Sequence, residues 1–305
     1  MIPTAESVHS GTVKVRIGLS FASVRGPQLP SLVDKVASCA VDSLWFSEQL
    51  TTPSIEPMTG MAYALARTDR LKVGAGLAVL PGRNPVLFAK QLASLSSLAP
   101  RRVLPVVGVR PYRRSEWDAF PVPAGLRGAV FDEALLLLRR LLSEPNVTFQ
   151  GEFFTVREFG LGELPASPLD IWLGGASPAA LRRIARLGDG WLGGMITPEE
   201  AAAGIEIINE EADLAGRRID PEHFGLMLQM SLDGLAPSQV EALRAYRPDV
   251  DPAELMPVGW DAARDAIEDF VKVGISKFVV YPAVPPASAG LFVDAFAREL
   301  MPLQT

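Results

Sequence analysis

The chain has 305 residues, 48% of them hydrophobic and 21% charged, with a formal net charge of −6. That composition supports a substantial core and excludes a disordered or fibrous chain, while an acidic balance without a long basic run argues against nucleic acid as a partner. No apolar run reaches bilayer length, and Met1 to Thr12 is polar and mixed, so a cytoplasmic protein that does not enter the membrane is expected, with residues 1–12 as a flexible tail and 13–305 as a single domain.

Strand and helix patterns alternate along the chain. Val13 to Leu19 reads as a first strand and Leu29 to Val41 as a helix. Cys39, the only cysteine, falls in the apolar run Val36 to Val41, where a buried and inert thiol is expected. Ser43 to Ser47 is a second strand, followed by a helix near Glu56 to Arg67. Leu71 to Leu80 makes a third strand, with a helix from Pro85 to Leu98, and Val103 to Val107 a fourth. Arg110 to Arg127 is a long polar connection, lid-like in length and composition. Phe131 to Leu142 is a helix with acidic residues near its start and Arg139-Arg140 near its end, as the helix dipole prefers. Thr148 to Thr155 reads as a small hairpin. Leu169 to Leu173 and Trp191-Leu192 are the fifth and sixth strands. A helix from Pro198 to Ala215 leads to a seventh strand near Phe224 to Leu232, and Pro237 to Trp260 holds a short helix and several prolines. Ser276 to Tyr281 is the eighth strand and Ala289 to Leu300 a closing helix. Eight strands with intervening helices predict an α/β fold, a (β/α)8 TIM barrel with lid-like insertions; an open doubly wound sheet is the alternative.

The stretch from Ile171 to Gly194 carries the most chemistry. Gly174-Gly175 ends one apolar run, Ser177-Pro178 follows as an N-cap with proline at the first helical position, and Gly193-Gly194 ends the next run. A glycine turn feeding a helix N-terminus offers free amides and the positive end of the dipole to an anion, so Gly174, Gly175, Ala176, Ser177, Gly193 and Gly194 are candidates to hold a phosphate. Glycines that merely close tight turns are the alternative. With two histidines in all, His9 and His223, a Ser-His-Asp triad or a histidine metal site is not expected, and no metal is assigned.

Several segments in order resemble the luciferase-like monooxygenase superfamily: Ser43-Leu-Trp-Phe-Ser-Glu48, Leu71-Lys-Val-Gly-Ala-Gly76, Pro81-Gly-Arg-Asn-Pro85, Phe131-Asp-Glu-Ala-Leu135, Pro168 to Pro178, and Arg186-Leu-Gly-Asp-Gly-Trp191. The resemblance implies a (β/α)8 barrel binding the deazaflavin coenzyme F-420 or, alternatively, FMN, with the reactive ring in the barrel mouth and its phosphate on the glycine turns. It also implies a non-proline cis peptide in the third strand, matching Gly76-Leu77 here, and places Gly108 at the end of the fourth strand. Many members carry an acidic residue and a histidine at the end of the second strand; this chain has Glu48-Gln49. Glutamine can hold a carbonyl but exchanges no proton near neutral pH. Where some members place an acid after the fourth strand, Pro111 stands instead.

The expected residues are therefore Glu48, Gln49 and Tyr112 for catalysis, with Tyr112 a proton source, and Gly76, Leu77, Gly108 and Arg110 beside the glycine turns for the cofactor. Arg110, Arg113 and Arg114 form a basic loop suited to the oligoglutamate tail of F-420 or to an anionic substrate. Trp45, Trp117 and Trp172 are candidate ring contacts or core residues, Trp117 on its loop the best placed. These expectations describe hydride transfer between F-420 and a small organic substrate, with reduction of an activated double bond favoured over alcohol oxidation. An FMN monooxygenase served by a separate reductase, and a barrel that has lost cofactor or chemistry, are the alternatives. A homodimer through the Leu87 to Leu98 helix is an open expectation.

Overall fold

The computed structural model describes residues 13–21 and 24–305. The expected tail, His9 included, lies outside them. Strands β1 (Arg16–Ser20), β2 (Ser43–Phe46), β3 (Lys72–Val79) and β4 (Val103–Gly108) are followed by an antiparallel hairpin, β5 (Val147–Gln150) and β6 (Thr155–Phe159). Then come β7 (Trp172–Gly174), β8 (Gly190–Gly194), β9 (Phe224–Met230) and β10 (Lys277–Pro282). Without the hairpin, eight strands close in the order β1-β10-β9-β8-β7-β4-β3-β2, every neighbour parallel. The open-sheet alternative is thereby set aside, and all strands end at one face, where barrel ligands bind.

The helices around the barrel are α1 (Leu29–Ser38), α2 (Pro57–Arg67), α3 (Pro85–Leu98), α4 (Arg127–Ser143), α5 (Pro178–Leu187), α6 (Pro198–Leu214), then α7 (Pro237–Tyr246) and α8 (Pro252–Leu255) in the second insertion, α9 (Gly259–Lys272) and α10 (Ala289–Glu299). Five of them start alike, with a polar cap and proline at the first position, α8 through Asp251, which accepts from the Ala253 amide. Glu56 accepts from the amides of Met58 and Thr59, Asn84 from Val86 and Leu87, Ser177 from Ala180, and Thr197 from Glu200.

Some expectations need correction. Helix α9 was not expected, although Ala263, Ile267 and Phe270 recur at helical spacing and are buried. Helix α4 begins at Arg127, four residues before the expected Phe131. The first insertion holds a 3-10 turn, Arg114–Ala119. Cys39 is only half-buried, at the C-terminal cap of α1. The apolar side of α3 is occupied against the barrel through Phe88, Ala89, Leu92 and Leu95, which leaves Leu87 and Leu98 exposed at its two ends. No helix among the described residues is long and apolar enough to cross a membrane.

Two motif residues explain themselves as fasteners. Asp189, just before β8, takes both arms of Arg139 from α4 (2.5 and 2.8 Å) and the Ile171 amide (2.9 Å). Glu133 accepts three consecutive amides, Glu152, Phe153 and Phe154, and so fixes the hairpin turn onto α4.

Candidate functional site at the barrel mouth

Alternation along each strand decides what the barrel encloses. Trp45, Val106, Leu192 and Val279 form a small cluster in the lumen, with Leu77, Leu104, Trp172 and Met227 packed against it. Toward the mouth the same faces carry small residues. Gly76 lies beside Trp45 and Met227, Gly108 and Gly174 face Leu77, and Gly194 lies over Met227. A Cβ on Gly174 would come within 2.5 Å of Leu77 Cδ2. The strands β3, β4, β7 and β8 therefore form a glycine-lined half of the mouth.

The Gly76-Leu77 peptide is cis, at the position the resemblance implied, and coincides with a register shift between Ala75 and Ala78 in the β3–β4 pairing. The Leu77 side chain fills the space left by Gly108 and Gly174.

The two glycine pairs differ. At the first, Gly175 has φ of +115°, a conformation that favours glycine, and its carbonyl accepts the Trp191 indole N–H at 2.7 Å. Gly175, Ala176 and Ser177 are exposed, and among the described residues the amides of Ala176 and Ser177 meet no protein acceptor. Helix α5 carries no acidic residue in its first turn. At the second, Gly193 faces outward against Trp191 and Ile196, so only Gly194 looks into the mouth. The following helix, α6, starts with Glu199 and Glu200, and a reciprocal Thr197–Glu200 capping box satisfies its end. Arg247 from the second insertion covers it further, bonding Glu200 Oε1 at 2.6 Å and the Met195 carbonyl at 3.0 Å. The α5 start is thus open, with the positive end of its dipole uncompensated, whereas the α6 start is capped and acidic.

Glu48, at the end of β2, is buried and committed. Its carboxylate accepts the Val79 amide at 2.7 Å and pairs with Arg83, whose Nε donates to the Val79 carbonyl at 3.0 Å. Burial lifts the Glu48 carboxyl above its ordinary value, although Arg83 and the Val79 amide favour its charged form. Glu48 thus serves as a structural acceptor for backbone and arginine, the alternative to a catalytic role that its position at a strand end leaves open. Gln49 is different: its side-chain oxygen is buried and meets no donor among the described residues. Below it, Glu116 on the first insertion accepts the Thr51 amide (2.9 Å) and hydroxyl (2.6 Å), binding this insertion to the β2 loop.

Arg110 lies over the Trp117 ring at 4.7 Å and Arg114 at 5.6 Å. Arg127, which opens α4, donates to the Phe120 carbonyl, yet its Nη1 is buried without a partner. Burial first, then repulsion from Arg110, lowers the Arg127 guanidinium below its usual range. Arg110 follows β4, and β4 pairs with β7, the strand that leads into the α5 turn.

Tyr112 stands on the same loop, 79% exposed. The tyrosine that faces the lumen is Tyr281. It continues the inward series Lys277, Val279, Tyr281 on β10, and its register partner on β9 is Gln229, which continues the inward series Gly225, Met227, Gln229. Both strands were expected from the sequence; these two residues were not, although alternation along the strands gives them. Burial raises the Tyr281 hydroxyl well above the usual tyrosine range, with the Tyr112 hydroxyl adding to the effect.

A separate space lies at the other end of the barrel. A cavity of about 290 Å³ lies at the N-terminal floor of the barrel, lined by Arg16, Lys72, Lys277, Asp170, His223 and the undersides of Trp45 and Trp172, among others. Asp42 there serves Lys72 (3.0 Å) and Lys277, with Arg16 at 3.9 Å. Those cations hold the Asp42 carboxyl down at about 2 against its burial, while burial pushes Lys277 down to about 8. His223 bonds the Asp189 carbonyl through Nδ1 at 2.8 Å. The open mouth is the better candidate for chemistry, because the strand ends and free amides converge there and the floor charges satisfy one another.

Comparison with known proteins agrees with this geometry. The family model described as luciferase-like monooxygenase matches residues 27–272. The chain belongs to that family. An uncharacterised protein of Mycobacterium tuberculosis is 34% identical over 63% of this chain, a match that spans 64% of that relative's length. An F-420-dependent glucose-6-phosphate dehydrogenase of Kineococcus radiotolerans is 22% identical over 97% of this chain and 98% of its own. Among solved structures, an F-420-dependent secondary alcohol dehydrogenase in complex with an F-420-acetone adduct superposes with a TM-score of 0.79 at 21% identity, covering 96% of this chain and all of that one. The oxygenating constituent of a Pseudomonas putida diketocamphane monooxygenase, in complex with FMN, gives 0.73 at 15% identity, covering 95% and 99%. At these identities the structural likeness concerns the fold.

Proposed function

We propose that this member of the family is an oxidoreductase that binds coenzyme F-420 at the barrel mouth and handles a small organic substrate. The observation that carries the reading is the α5 turn, where the amides of Ala176 and Ser177 are exposed, at an acid-free helix start, and meet no protein acceptor among the described residues. The residues fit the group. A phosphate belongs on Gly174, Gly175, Ala176 and Ser177, and a flat ring in the half cleared by Gly76, Gly108, Gly174 and Gly194, backed by Leu77. The orphaned Gln49 oxygen accepts an N–H from ring or substrate. Arg110, Arg113 and Arg114 take the carboxylates of the tail.

When bound, F-420 supplies hydride chemistry. The chain's own residues orient and exclude. Glu48 and Arg83 hold the end of β3, and with it the segment on which Leu77 stands. Reduction of an activated double bond suits this set better than alcohol oxidation: Gln49 exchanges no proton near neutral pH, and Glu48 is committed to Arg83 and Val79. The relatives named as F-420-dependent support the cofactor. The FMN-bound neighbour supports the second reading, an FMN monooxygenase fed by a reductase, because a phosphate seat serves either cofactor.

Separate titrations of purified protein with F-420 and FMN, followed by absorbance and fluorescence, test the reading. Micromolar F-420 binding without comparable FMN binding is expected. The reverse order favours the monooxygenase, and binding of neither removes both enzyme readings. In the triple variant of Arg110, Arg113 and Arg114 to alanine, an unchanged F-420 affinity removes the tail clamp alone.

A further inference from the structure

The mouth is chemically divided. The glycine residues lie on β3, β4, β7 and β8, whereas the other half, on β9, β10 and β1, carries Gln229, Tyr281 and Ser20 side by side in register. Ser20 is spent on the Trp45 carbonyl, to which its hydroxyl donates at 3.0 Å. Among the described residues, the side-chain amide of Gln229 and the hydroxyl of Tyr281 make no hydrogen bond, though both residues lie largely out of solvent and face the lumen. No charged side chain accompanies them on the inward faces of these strand ends. The charges on those faces, Arg16 and Lys277, lie at the opposite end of the barrel.

We propose that Tyr281 and Gln229 form the substrate-recognition wall of the mouth, and that they select a neutral carbonyl compound, an enone or enal, by holding its oxygen with the phenol O–H and the amide N–H. The proposal rests on the cofactor reading for its chemistry, and on the facing side chains for its chemistry of recognition. Two neutral donors on adjacent strands match the two lone pairs of one carbonyl oxygen. They would stabilise the negative charge that develops on it when the reduced cofactor gives hydride to the far carbon of the double bond, the resulting enolate then taking a proton from water at its α-carbon. A carboxylate or phosphate substrate instead requires a cation that this half of the mouth does not supply. The hydroxyl stays protonated, and therefore a donor, throughout the accessible pH range.

The test uses cyclohex-2-enone and, as its anionic counterpart, cyclohexene-1-carboxylate, titrated calorimetrically into full-length protein with and without saturating F-420. Tyr281→Phe and Gln229→Leu are each expected to weaken cyclohexenone binding roughly threefold to tenfold, the range for losing one hydrogen bond, while F-420 affinity stays within about twofold. The carboxylate is expected to bind wild type more weakly than the ketone. Unchanged cyclohexenone affinity in Tyr281→Phe, or tighter binding of the carboxylate, overturns the proposal. Should Tyr281→Phe fail to fold by circular dichroism, Gln229→Leu decides alone by the same criterion. If F-420 does not bind while cyclohexenone binding still depends on Tyr281, the cofactor reading falls and the recognition wall stands.

Discussion

Replacing Gly108 by alanine tests the packing that shapes the mouth. An added methyl there overlaps the Cδ atoms of Leu77, and Gly108 is buried in the last position of β4, so the backbone has little room to yield. Overpacking of this kind costs about 1–3 kcal/mol, against which a Gly-to-Ala change recovers about 0.4–1 kcal/mol through the unfolded chain. A net destabilisation of roughly 1–2 kcal/mol is expected. Because the obstacle is the far end of one side chain, Leu77→Ala should relieve it: in that background Gly108→Ala should be neutral or stabilising. Urea unfolding of wild type, both single variants and the double variant gives the coupling energy directly. Strict additivity of the two changes refutes the contact between Leu77 and the β4 end, and with it the claim that Leu77 occupies the space the glycines leave.

Three other changes probe the fasteners. Glu48→Gln keeps an acceptor for the Val79 amide but removes the counter-charge of Arg83, and should cost about 1–3 kcal/mol in urea unfolding; a variant as stable as wild type but inactive would instead make Glu48 catalytic. Asp42 is held at about 2, below its unfolded value of 3.8, so its stabilisation is present above about pH 4 and disappears as pH falls toward 2. The stability advantage of wild type over Asp42→Asn should therefore shrink by about 2 kcal/mol between pH 5 and pH 2, and a gap that stays constant over that interval contradicts the assignment. Asp189→Asn leaves Arg139 and Arg217 short of charge at the floor, and a lowered melting temperature with unchanged F-420 affinity is the expected pattern.

Much of the barrel was legible because alternation of strand and helix over eight units is a long-range pattern that few folds share. One cap was read, Ser177-Pro178, and Asn84-Pro85 and Thr197-Pro198 carry the same signal of a polar acceptor before a residue that needs no intrahelical N–H partner. Partner choice was not. Nothing in Glu48-Gln49 says that the carboxylate turns toward Arg83, 35 residues on, while the amide oxygen is left without a donor. The equivalence first given to the two glycine pairs failed for a related reason: the face on which Gly193 lies depends on strand register, and the value of a helix N-terminus depends on what already occupies it. Glu199 and Glu200 stand in plain view in the sequence, and their opposition to an anion follows from the dipole alone. Tyr281 was missed by attending to the loop, where Tyr112 is, rather than to the inward parity of the strand end.

The division of the mouth also bears on what the proposed double-bond reduction asks of a chain that carries Gln49 where an acid–base histidine is expected. Where a histidine is absent, a residue that takes a proton from an alcohol is missing, and that constraint looked like lost chemistry. One committed carboxylate, an orphaned amide oxygen and a protonated phenol make a set of fixed hydrogen-bonding groups rather than a general base. Such groups stabilise charge that develops on a substrate oxygen without changing protonation state, so their contribution should be nearly independent of pH across the neutral range. An alcohol-oxidising site built on a histidine would titrate there. A flat pH profile for cyclohexenone binding between about pH 6 and 8 is accordingly what this arrangement demands, and a sharp inflection in that interval would point to an ionising group that the geometry of Gln49, Gln229 and Tyr281 does not contain.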